Sequence, residues 1–398
     1  MINILFVDDE PNILGGLERM LRTMRHEWEM SFAGSGPEAL KVLDEKTIDV
    51  IISDMKMPGM DGAELFQIVS QRHPHVVRII LSGYSERETN MKSVGTAHQY
   101  LSKPCESDVL KATINRVCSL RDLLTDDTLQ SLVSQLPTVP SLPLLYMELV
   151  EELGREDSSA RKVGEIVKQD IGMTVKILQI VNSAFFGLRR RISDSREAVE
   201  LLGLDTIGSL TLGLGVISQF ESHTSGIFFA DLWTHSIAVG VMANKIAAAE
   251  NRERANDAFT AGLLHDIGKV VLAVNLPEKF NAVRDLMTQE NVSITDAEKH
   301  IFGATHAEVG AYLLGLWGLP TQVVQAVAFH HVPSDLHDGD FTALTAIHVA
   351  NSIQDYLDLD DANKLEPQFD MQYLEGIGLL GKVPEWQEIY AEMPVLSV

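Results

Sequence analysis

Acidic residues, a serine and a lysine follow apolar runs in the first third of the sequence. The runs cover residues 4–7, 49–53, 76–82 and about 99–101. The polar residues at or just after their ends are Asp8, Asp9, Asp54, Ser82 and Lys103. Functional groups of an open α/β sheet collect at the carboxyl ends of its strands, so we expect these side chains to meet at one edge.

Three carboxylates at one edge would repel one another unless a cation lies among them. Mg²⁺ suits such a site because it prefers hard oxygen ligands. Mg²⁺ and the ammonium group of Lys103 would also neutralise an incoming phosphoryl group. These residue types predict an aspartyl-phosphate acceptor with a carboxylate nucleophile. Any one of them taken alone is more often a solvated loop charge or a helix cap, and Asp61-Gly62 is by itself a turn signal.

The elements that would position these residues alternate between strand and helix. Each apolar run is short and contains β-branched residues, as expected of strands buried on both faces of a parallel sheet. Leu14, Leu17 and Leu21 recur at helical spacing after the first run. The alternation predicts a doubly wound α/β domain with a five-stranded parallel sheet and right-handed crossovers.

The pattern changes after about residue 126, where strand-like runs become rare and amphipathic helical patterns dominate. Val163, Ile166 and Val167 mark one predicted helix, and residues 237–246 mark a longer one. Prolines within residues 136–143 exclude a continuous helix there, because each proline removes a hydrogen-bond donor. We therefore predict a first domain over 1–124, a linker over 125–140 and an all-helical domain over 141–398.

Histidines and acidic residues in the second domain form another candidate constellation. Asp231 lies four residues before His235, so both residues fall on one face of a predicted helix. Imidazoles and carboxylates contributed by several helices are suited to a dinuclear metal site that activates water for phosphoester hydrolysis. Ordinary structural histidines are the alternative explanation. The candidate residues are Asp231, His235, His265, Asp266, His306, His330, His331 and Asn351.

The charge and hydropathy of the chain exclude several classes of function. The formal net charge is −24, and such a surface repels nucleic acid and anionic membranes. No basic helix-turn-helix pattern is present, which disfavours a transcription factor. No apolar run reaches the roughly 18 residues that a membrane span needs. The N-terminus lacks the pattern of a signal peptide, so we expect a cytoplasmic protein.

About the first 120 residues resemble the receiver domain of two-component response regulators, which has a flavodoxin-like fold. The matching motifs are VDDE at 7–10, SDMKMPGMDG at 53–62, LSG at 81–83 and YLSKP at 100–104. The resemblance implies that Asp54 is the phosphoacceptor and that Lys103 contacts the phosphoryl group. It implies a Mg²⁺ pocket formed by Asp8, Asp9, Asp54 and the main-chain carbonyl of Lys56. It also implies that Ser82 and Tyr100 are the switch residues and that the bond before Pro104 is cis.

Residues 129–390 resemble the HDOD subgroup of the HD superfamily of metal-dependent phosphohydrolases. The matching motifs are KQD at 168–170, LQIVNS at 178–183, AVELLG at 198–203, LGLWGLP at 314–320 and HH at 330–331. HDOD domains resemble catalytically degenerate relatives that are used in signalling. Two departures from active HD enzymes support that reading: Asn351 replaces the last aspartate ligand, and the Gly-Tyr-Pro signature of cyclic-di-GMP phosphodiesterases is absent. Lys269 is interpreted as a helix cap rather than a phosphate ligand.

The sequence therefore predicts a response regulator that a sensor histidine kinase phosphorylates on Asp54. Its HDOD output domain is expected to act without catalysis, through contacts with an unknown downstream protein or in a homodimer. No nucleic-acid or membrane partner is expected. The alternative is an HD phosphohydrolase that holds a pair of transition-metal ions and acts on a nucleotide or cyclic dinucleotide.

Overall fold

The structure is a computed structural model that divides into two compact units. The five strands lie in the first unit, and helices from Leu144 onward build most of the second. The described residues are 2–73, 75–83, 97–103, 105–123, 144–155, 157–182, 192–218, 226–336, 339–358 and 367–391. The proline-containing entry at 136–143, the predicted linker at 125–140 and Pro104 lie outside them.

The first unit contains a parallel sheet with the order β2-β1-β3-β4-β5, which confirms the doubly wound prediction. The strands are β1 (Ile2–Val7), β2 (Trp28–Ala33), β3 (Val50–Asp54), β4 (Val77–Gly83) and β5 (Gln99–Lys103). The edge strand β2 was not among the apolar runs of the sequence. Glu29 and Ser31 interrupt it, because an edge strand is only partly covered.

Helices cover the sheet and bury its apolar strands. Residues Leu5, Ile51 and Ile80 of three strands pack into one core with Leu65 and Phe66. The described helices of this unit are α1 (Pro11–Met20), α2 (Gly36–Glu45), α3 (Gly62–Arg72) and α4 (Ser107–Leu123). A short 3₁₀ helix, Arg22–Met24, follows α1.

Every described secondary-structure element of the second unit is a helix, as predicted. Its front half contains α5 (Leu144–Leu153), α6 (Ala160–Lys168), α7 (Ile171–Val181), α8 (Ser195–Leu202) and α9 (Leu204–Ser218). Its middle contains α10 (Gly226–Glu250), α11 (Ala255–Leu264), α12 (Ile267–Asn275), α13 (Pro277–Glu290), α14 (Ile294–Phe302) and α15 (His306–Leu316). It ends with α16 (Thr321–Phe329), α17 (Ala343–Asp358), α18 (Met371–Gly376) and α19 (Val383–Ala391). Among the described residues no single helix is both long and apolar enough to cross a membrane.

Helices α10, α11, α16 and α17 pack together and form the centre of this unit. Gly240 on α10 and Gly262 on α11 lie at their crossing, where a Cβ atom on Gly262 would meet the backbone of Gly240 at 2.7 Å. Gly268 on α12 packs directly against the main chain of His306 at the start of α15. The small residues therefore let the ends of several helices approach one another closely, which places their polar side chains in one cluster.

Candidate functional site

Four of the predicted residues come together at the carboxyl edge of the sheet. Asp8 and Asp9 follow β1, Asp54 ends β3 and Lys103 ends β5. One ligand oxygen from each of the three carboxylates lies within 4.8 Å of the other two. The Nζ atom of Lys103 lies 2.8 Å from Oδ2 of Asp8 and 2.5 Å from Oδ1 of Asp54. These residues are called the acidic pocket below.

The acidic pocket holds more negative than positive charge in a largely buried place. Asp8 and Asp54 are 2% and 9% exposed. Burial raises the pKa of Asp54 above its ordinary value, Lys103 opposes this rise and Asp8 adds to it. Burial lowers the pKa of Lys103, but its bonds to Asp54 and Asp8 outweigh burial and leave that pKa raised. The oxygen donors and the surplus of negative charge therefore fit a hard divalent cation.

A capping box at the start of α3 supports the acidic pocket. The Asp61 side chain accepts a hydrogen bond from the backbone N–H of Glu64 at 2.8 Å, and the Glu64 side chain accepts one from the backbone N–H of Asp61. Gly62 then lies so close that a Cβ atom there would clash with the carbonyl oxygen of Asp54. Asp61 and Gly62 read as a turn in the sequence, and the structure makes them the start of a helix packed on the pocket.

Three other predicted residues of this edge are described only in part. Ser82 lies in β4 and Tyr100 lies in β5, but their side chains fall outside the described residues. The Lys56 side chain is exposed. The switch roles and the carbonyl ligand therefore stay predictions.

The histidines and acidic residues of the second unit also come together. His235 lies on α10 and His265 ends α11, while Asp266 precedes α12. His306 begins α15, and His330 and His331 follow α16. Two groups of ligand atoms each lie within 4.8 Å: His235, His265 and Asp266, and His306, His330 and His331. These six residues are called the histidine cluster below.

Asp266 is the central carboxylate of the histidine cluster. Its Oδ1 atom lies 3.2 Å from Nε2 of His306, and its Oδ2 atom lies 2.7 Å from Nζ of Lys269. Nε2 of His265 and Nε2 of His235 lie 3.4 and 3.9 Å from Oδ2. Burial alone would raise the pKa of Asp266, but its neighbours His265, Lys269 and His306 hold that pKa well below its ordinary value.

Two imidazoles point unprotonated nitrogens into the histidine cluster. The Nδ1–H groups of His265 and His330 donate to the carbonyls of Gly262 and Val327, each at 2.7 Å. Each Nε2 therefore carries no proton and has a free lone pair. Neither Nε2 atom makes a hydrogen bond within the described residues. Burial lowers the pKa of His265 to about 4 and the pKa of His330 well below its ordinary value, so both rings are neutral. A buried neutral imidazole with one free nitrogen is the form that binds metal ions.

A buried glutamate orients His306. The Nδ1–H of His306 donates to Oε2 of Glu298 at 2.7 Å, and the backbone N–H of His306 donates to the same oxygen at 2.9 Å. Nε2 of His306 then faces Nε2 of His331 at 3.1 Å. Burial and the neighbouring histidines hold the pKa of His331 well below its ordinary value. A carboxylate behind a ligating imidazole is a common feature of metal sites because it fixes the ring orientation.

His235 makes hydrogen bonds with side-chain oxygens through both of its ring nitrogens. Nδ1 lies 2.8 Å from Oδ2 of Asp358, and Nε2 lies 3.0 Å from Oδ1 of Asn351. The amide nitrogen of Asn351 donates to Asp355 at 2.9 Å, which orients the amide oxygen towards His235. Burial lowers the pKa of His235, but Asp358, Asp266 and Asp355 outweigh burial and leave it raised.

The structure adds residues that sequence reasoning missed and corrects one assignment. Glu298, Asp355 and Asp358 were not predicted; only Asp355 had a signal, since it lies one helical turn after Asn351. Lys269 does not cap a helix: its ammonium group binds Asp266 inside the cluster. Asp231 is exposed and belongs to neither group of ligand atoms in the described part of the chain.

Known protein families match both regions of the chain. The model of the response regulator receiver domain matches residues 4–115, and that of the HDOD domain matches residues 139–333. An uncharacterized protein of Treponema pallidum is 27% identical over 309 residues, which are 73% of this chain and 59% of that protein. The DNA-binding transcriptional regulator NtrC of Klebsiella pneumoniae is 37% identical over 114 residues, which are 28% of this chain and 24% of NtrC. This chain therefore spans less than two thirds of either relative.

A solved structure shares the fold of the helical region. An HDOD domain protein of unknown function from Geobacter sulfurreducens aligns with a TM-score of 0.52 and 21% identity, covering 71% of this chain and 99% of that chain. The fold and the matched models define a receiver domain followed by an HDOD domain. The chain therefore contains a receiver domain followed by an HDOD domain, and this combination resembles signalling proteins of the response-regulator type.

Proposed function

We propose that this response regulator accepts a phosphoryl group on Asp54 from a sensor histidine kinase. The acidic pocket carries the proposal, because Lys103 binds Asp54 and Asp8 while Asp9 lies within ligand distance. Asp8, Asp9, Asp54 and the main-chain carbonyl of Lys56 are the proposed ligands of Mg²⁺, which offsets the charge of an incoming phosphoryl group. A carboxylate oxygen of Asp54 attacks phosphorus as the P–N bond to the phosphorylated histidine of the kinase breaks, and the ammonium of Lys103 stabilises the phosphoryl oxygens.

Ser82 and Tyr100 are the proposed switch residues. In the register of β4 and β5, Ser82 pairs with Ser102, one residue before Lys103, and Tyr100 pairs with Ile80. Ser82 therefore lies on the strand next to the one that ends in Lys103. We propose that Ser82 binds the phosphoryl group and that Tyr100 changes its position in response.

Phosphorylation of the purified protein by acetyl phosphate and Mg²⁺ tests this role. We expect the intact mass to rise by one phosphoryl group and the Asp54→Asn variant to remain unmodified. Asp61→Asn is the matched control, because asparagine also caps helices well. Labelling of Asp54→Asn to the same extent as the control would place the acceptor elsewhere.

We further propose that the HDOD region acts through protein contacts, with a downstream protein or a second copy of the chain. This proposal is supported by Asn351, a neutral amide that binds His235 where an active HD enzyme would supply a carboxylate. Light scattering before and after phosphorylation tests the homodimer. A doubled mass, absent in Asp54→Asn, is the expected result, and a monomer mass in both states would leave only a different protein as the partner.

A metal-dependent phosphohydrolase acting on a nucleotide or cyclic dinucleotide is the second candidate. The observation that favours it is the histidine cluster, in which His265 and His330 each keep an Nε2 atom without a hydrogen bond within the described residues. Incubation of the protein and its His330→Gln variant with Mn²⁺ and cyclic dinucleotides separates the two candidates. Product formed only by the unsubstituted protein would support hydrolysis, and no product from either would support the signalling role alone.

A further inference from the structure

The last described helix, α19, docks on the helical unit through one tryptophan and a polar contact beside it. Trp386 is fully buried, and its Nε1–H donates to Oε1 of Glu250 at 3.1 Å. Its ring centre lies 6.4 Å from that of Phe341, and Nζ of Lys382 lies 3.6 Å from Glu250. Because Glu250 ends α10, the helix that carries His235, α19 is attached to one of the helices that build the histidine cluster.

A chain of three hydrogen bonds runs from α19 to His235 and is called the relay below. The hydroxyl of Tyr390 donates to Oε1 of Gln354 at 2.8 Å. Nε2 of Gln354 donates to Oδ1 of Asp358 at 2.7 Å. Oδ2 of Asp358 then accepts the Nδ1–H of His235 at 2.8 Å. The relay therefore links a helix at the end of the described chain to a residue of the histidine cluster.

The Tyr390 hydroxyl fixes the orientation of the middle link. Asp358 is the last residue of α17 and its side chain is 51% exposed, whereas Gln354 one turn earlier is buried. The buried amide can hold the exposed carboxylate only when its nitrogen faces Asp358, because an amide oxygen cannot donate a hydrogen bond. Since the hydroxyl binds the amide oxygen, Tyr390 keeps the nitrogen turned towards Asp358.

The same stretch of chain also reaches the histidine cluster from a second side. Residues 367–391, which contain α18 and α19, are called the C-terminal clasp below. The backbone N–H of Asp370 in the clasp donates to Nε2 of His348 at 2.8 Å. The Nδ1–H of His348 donates to the carbonyl of His330, also at 2.8 Å. Two histidines of the cluster are therefore hydrogen-bonded, through intermediate residues, to the clasp.

We propose that the C-terminal clasp is coupled to the histidine cluster, with Tyr390 as a positioning residue. Docked α19 holds Asp358 against His235, and movement of His235 away from Asp358 weakens the docking of α19. Such a coupling is reciprocal, because each site changes the stability of the other by the same free energy. It links the buried cluster to α19, whose outer face is exposed, whether the cluster serves signalling or hydrolysis.

The ring of His235 reports the coupling in one direction. Tyr390→Phe removes one hydroxyl from the full-length, chelator-treated protein. We expect the side-chain ¹⁵N and ¹H NMR signals of His235 to shift at constant pH. Tyr146→Phe, on α5, is the matched control and should leave them in place. Unshifted His235 signals in Tyr390→Phe overturn the proposal.

The buried amide separates the relay from a general loosening of the helices. Gln354→Met removes the middle link, so in that background Tyr390→Phe should cause no further shift of the His235 signals. An equal shift in both backgrounds would mean that Tyr390 acts on His235 by another route, and it overturns the relay.

Hydrogen–deuterium exchange of α19 tests the reverse direction. Asp358→Asn leaves one acceptor oxygen for two donors, so one bond of the relay is lost. One hydrogen bond corresponds to about 3–10-fold in an equilibrium constant, and amide exchange in α19 should be faster by a similar factor. Asp285→Asn at an exposed position of α13 is the control. Exchange in Asp358→Asn as slow as in the control contradicts the coupling.

Discussion

The acidic pocket and the histidine cluster each place a lysine on a central buried carboxylate, but their other donors differ. Lys103 binds Asp54 and Asp8 in a pocket whose third acidic group, Asp9, is also a carboxylate. Lys269 binds Asp266, the only carboxylate of a cluster that otherwise consists of imidazoles. One site therefore has oxygen donors and surplus negative charge, and the other has nitrogen donors and a nearly balanced charge.

This difference in donor atoms and charge determines the role of each lysine. In the acidic pocket a cation can be added beside the lysine, because one ammonium group does not neutralise three carboxylates. In the histidine cluster the ammonium group of Lys269 already balances the charge of the one carboxylate, Asp266. On the proposal above, a lysine therefore assists phosphoryl transfer in one region, while in the other region it neutralises a buried carboxylate.

Among the variants that compare the two sites, Lys269→Met should have the largest effect, a loss of unfolding free energy. Lys269→Met leaves the carboxylate of Asp266, 2% exposed, without its cation. Loss of one partner of a buried ion pair costs about 3–5 kcal/mol of unfolding free energy. Urea unfolding in excess chelator measures this loss, with the exposed Lys279→Met as control. A loss no larger than that of the control would show that Asp266 does not depend on Lys269.

The corresponding change in the acidic pocket should affect rate rather than stability. Lys103→Ala removes the ammonium group that stabilises the phosphoryl oxygens, and loss of one such preorganised donor slows reactions by about 10²–10³. The time course of labelling by acetyl phosphate measures the rate, with Lys41→Ala at an exposed position as control. Equal rates in the two variants would remove Lys103 from the transfer step.

The acidic pocket could be predicted from the sequence because each of its residues follows a strand. Parallel register brings strand ends to one edge, so Asp8, Asp54 and Lys103 are placed by the sheet itself. The edge strand β2 was harder to recognise, since its polar residues hide the apolar pattern. Asp61 was read as a turn because a capping box depends on hydrogen bonds that residue types only suggest.

The surroundings of the histidine cluster could not be predicted in the same way. The pairs His265–Asp266 and His330–His331 are visible because they are adjacent in the sequence. His235 and Asp358, however, lie 123 residues apart and meet only because α10 packs against α17. The sequence does not specify how these helices cross. The hydrogen-bond partners of the cluster residues therefore appear only in the structure.

Glu298 offers a test of metal binding by the histidine cluster that leaves every candidate ligand in place. Glu298→Gln weakens the acceptor for Nδ1–H of His306, so the ring orientation and its basicity both change. Loss of such a supporting carboxylate typically lowers metal affinity by about 10–100-fold. Titration of chelator-treated protein with Zn²⁺ in excess Mg²⁺ measures the affinity, with the exposed Glu290→Gln as control. Unchanged affinity would show that Glu298 serves the fold and not the metal site.

The smallest expected effect is the pH dependence contributed by His348, which supports His330 from behind. Its Nδ1–H donates to the carbonyl of His330 at 2.8 Å, and its Nε2 accepts the backbone N–H of Asp370 at 2.8 Å. Burial lowers the pKa of His348 below its ordinary 6.5. The unfolded chain therefore takes up a proton more readily than the folded chain as the pH falls. The stability contribution of His348 is complete above about pH 6.5 and declines below it.

The size of this decline follows from the same linkage. Between about pH 7.5 and 5.5, one such group lowers the free energy of unfolding by up to about 1.4 kcal/mol. Urea unfolding of the unsubstituted protein and His348→Gln at both pH values measures it, because the other histidines contribute equally to both and cancel in the difference. The variant should lose less stability on acidification. An equal loss would mean that folding does not lower the pKa of His348.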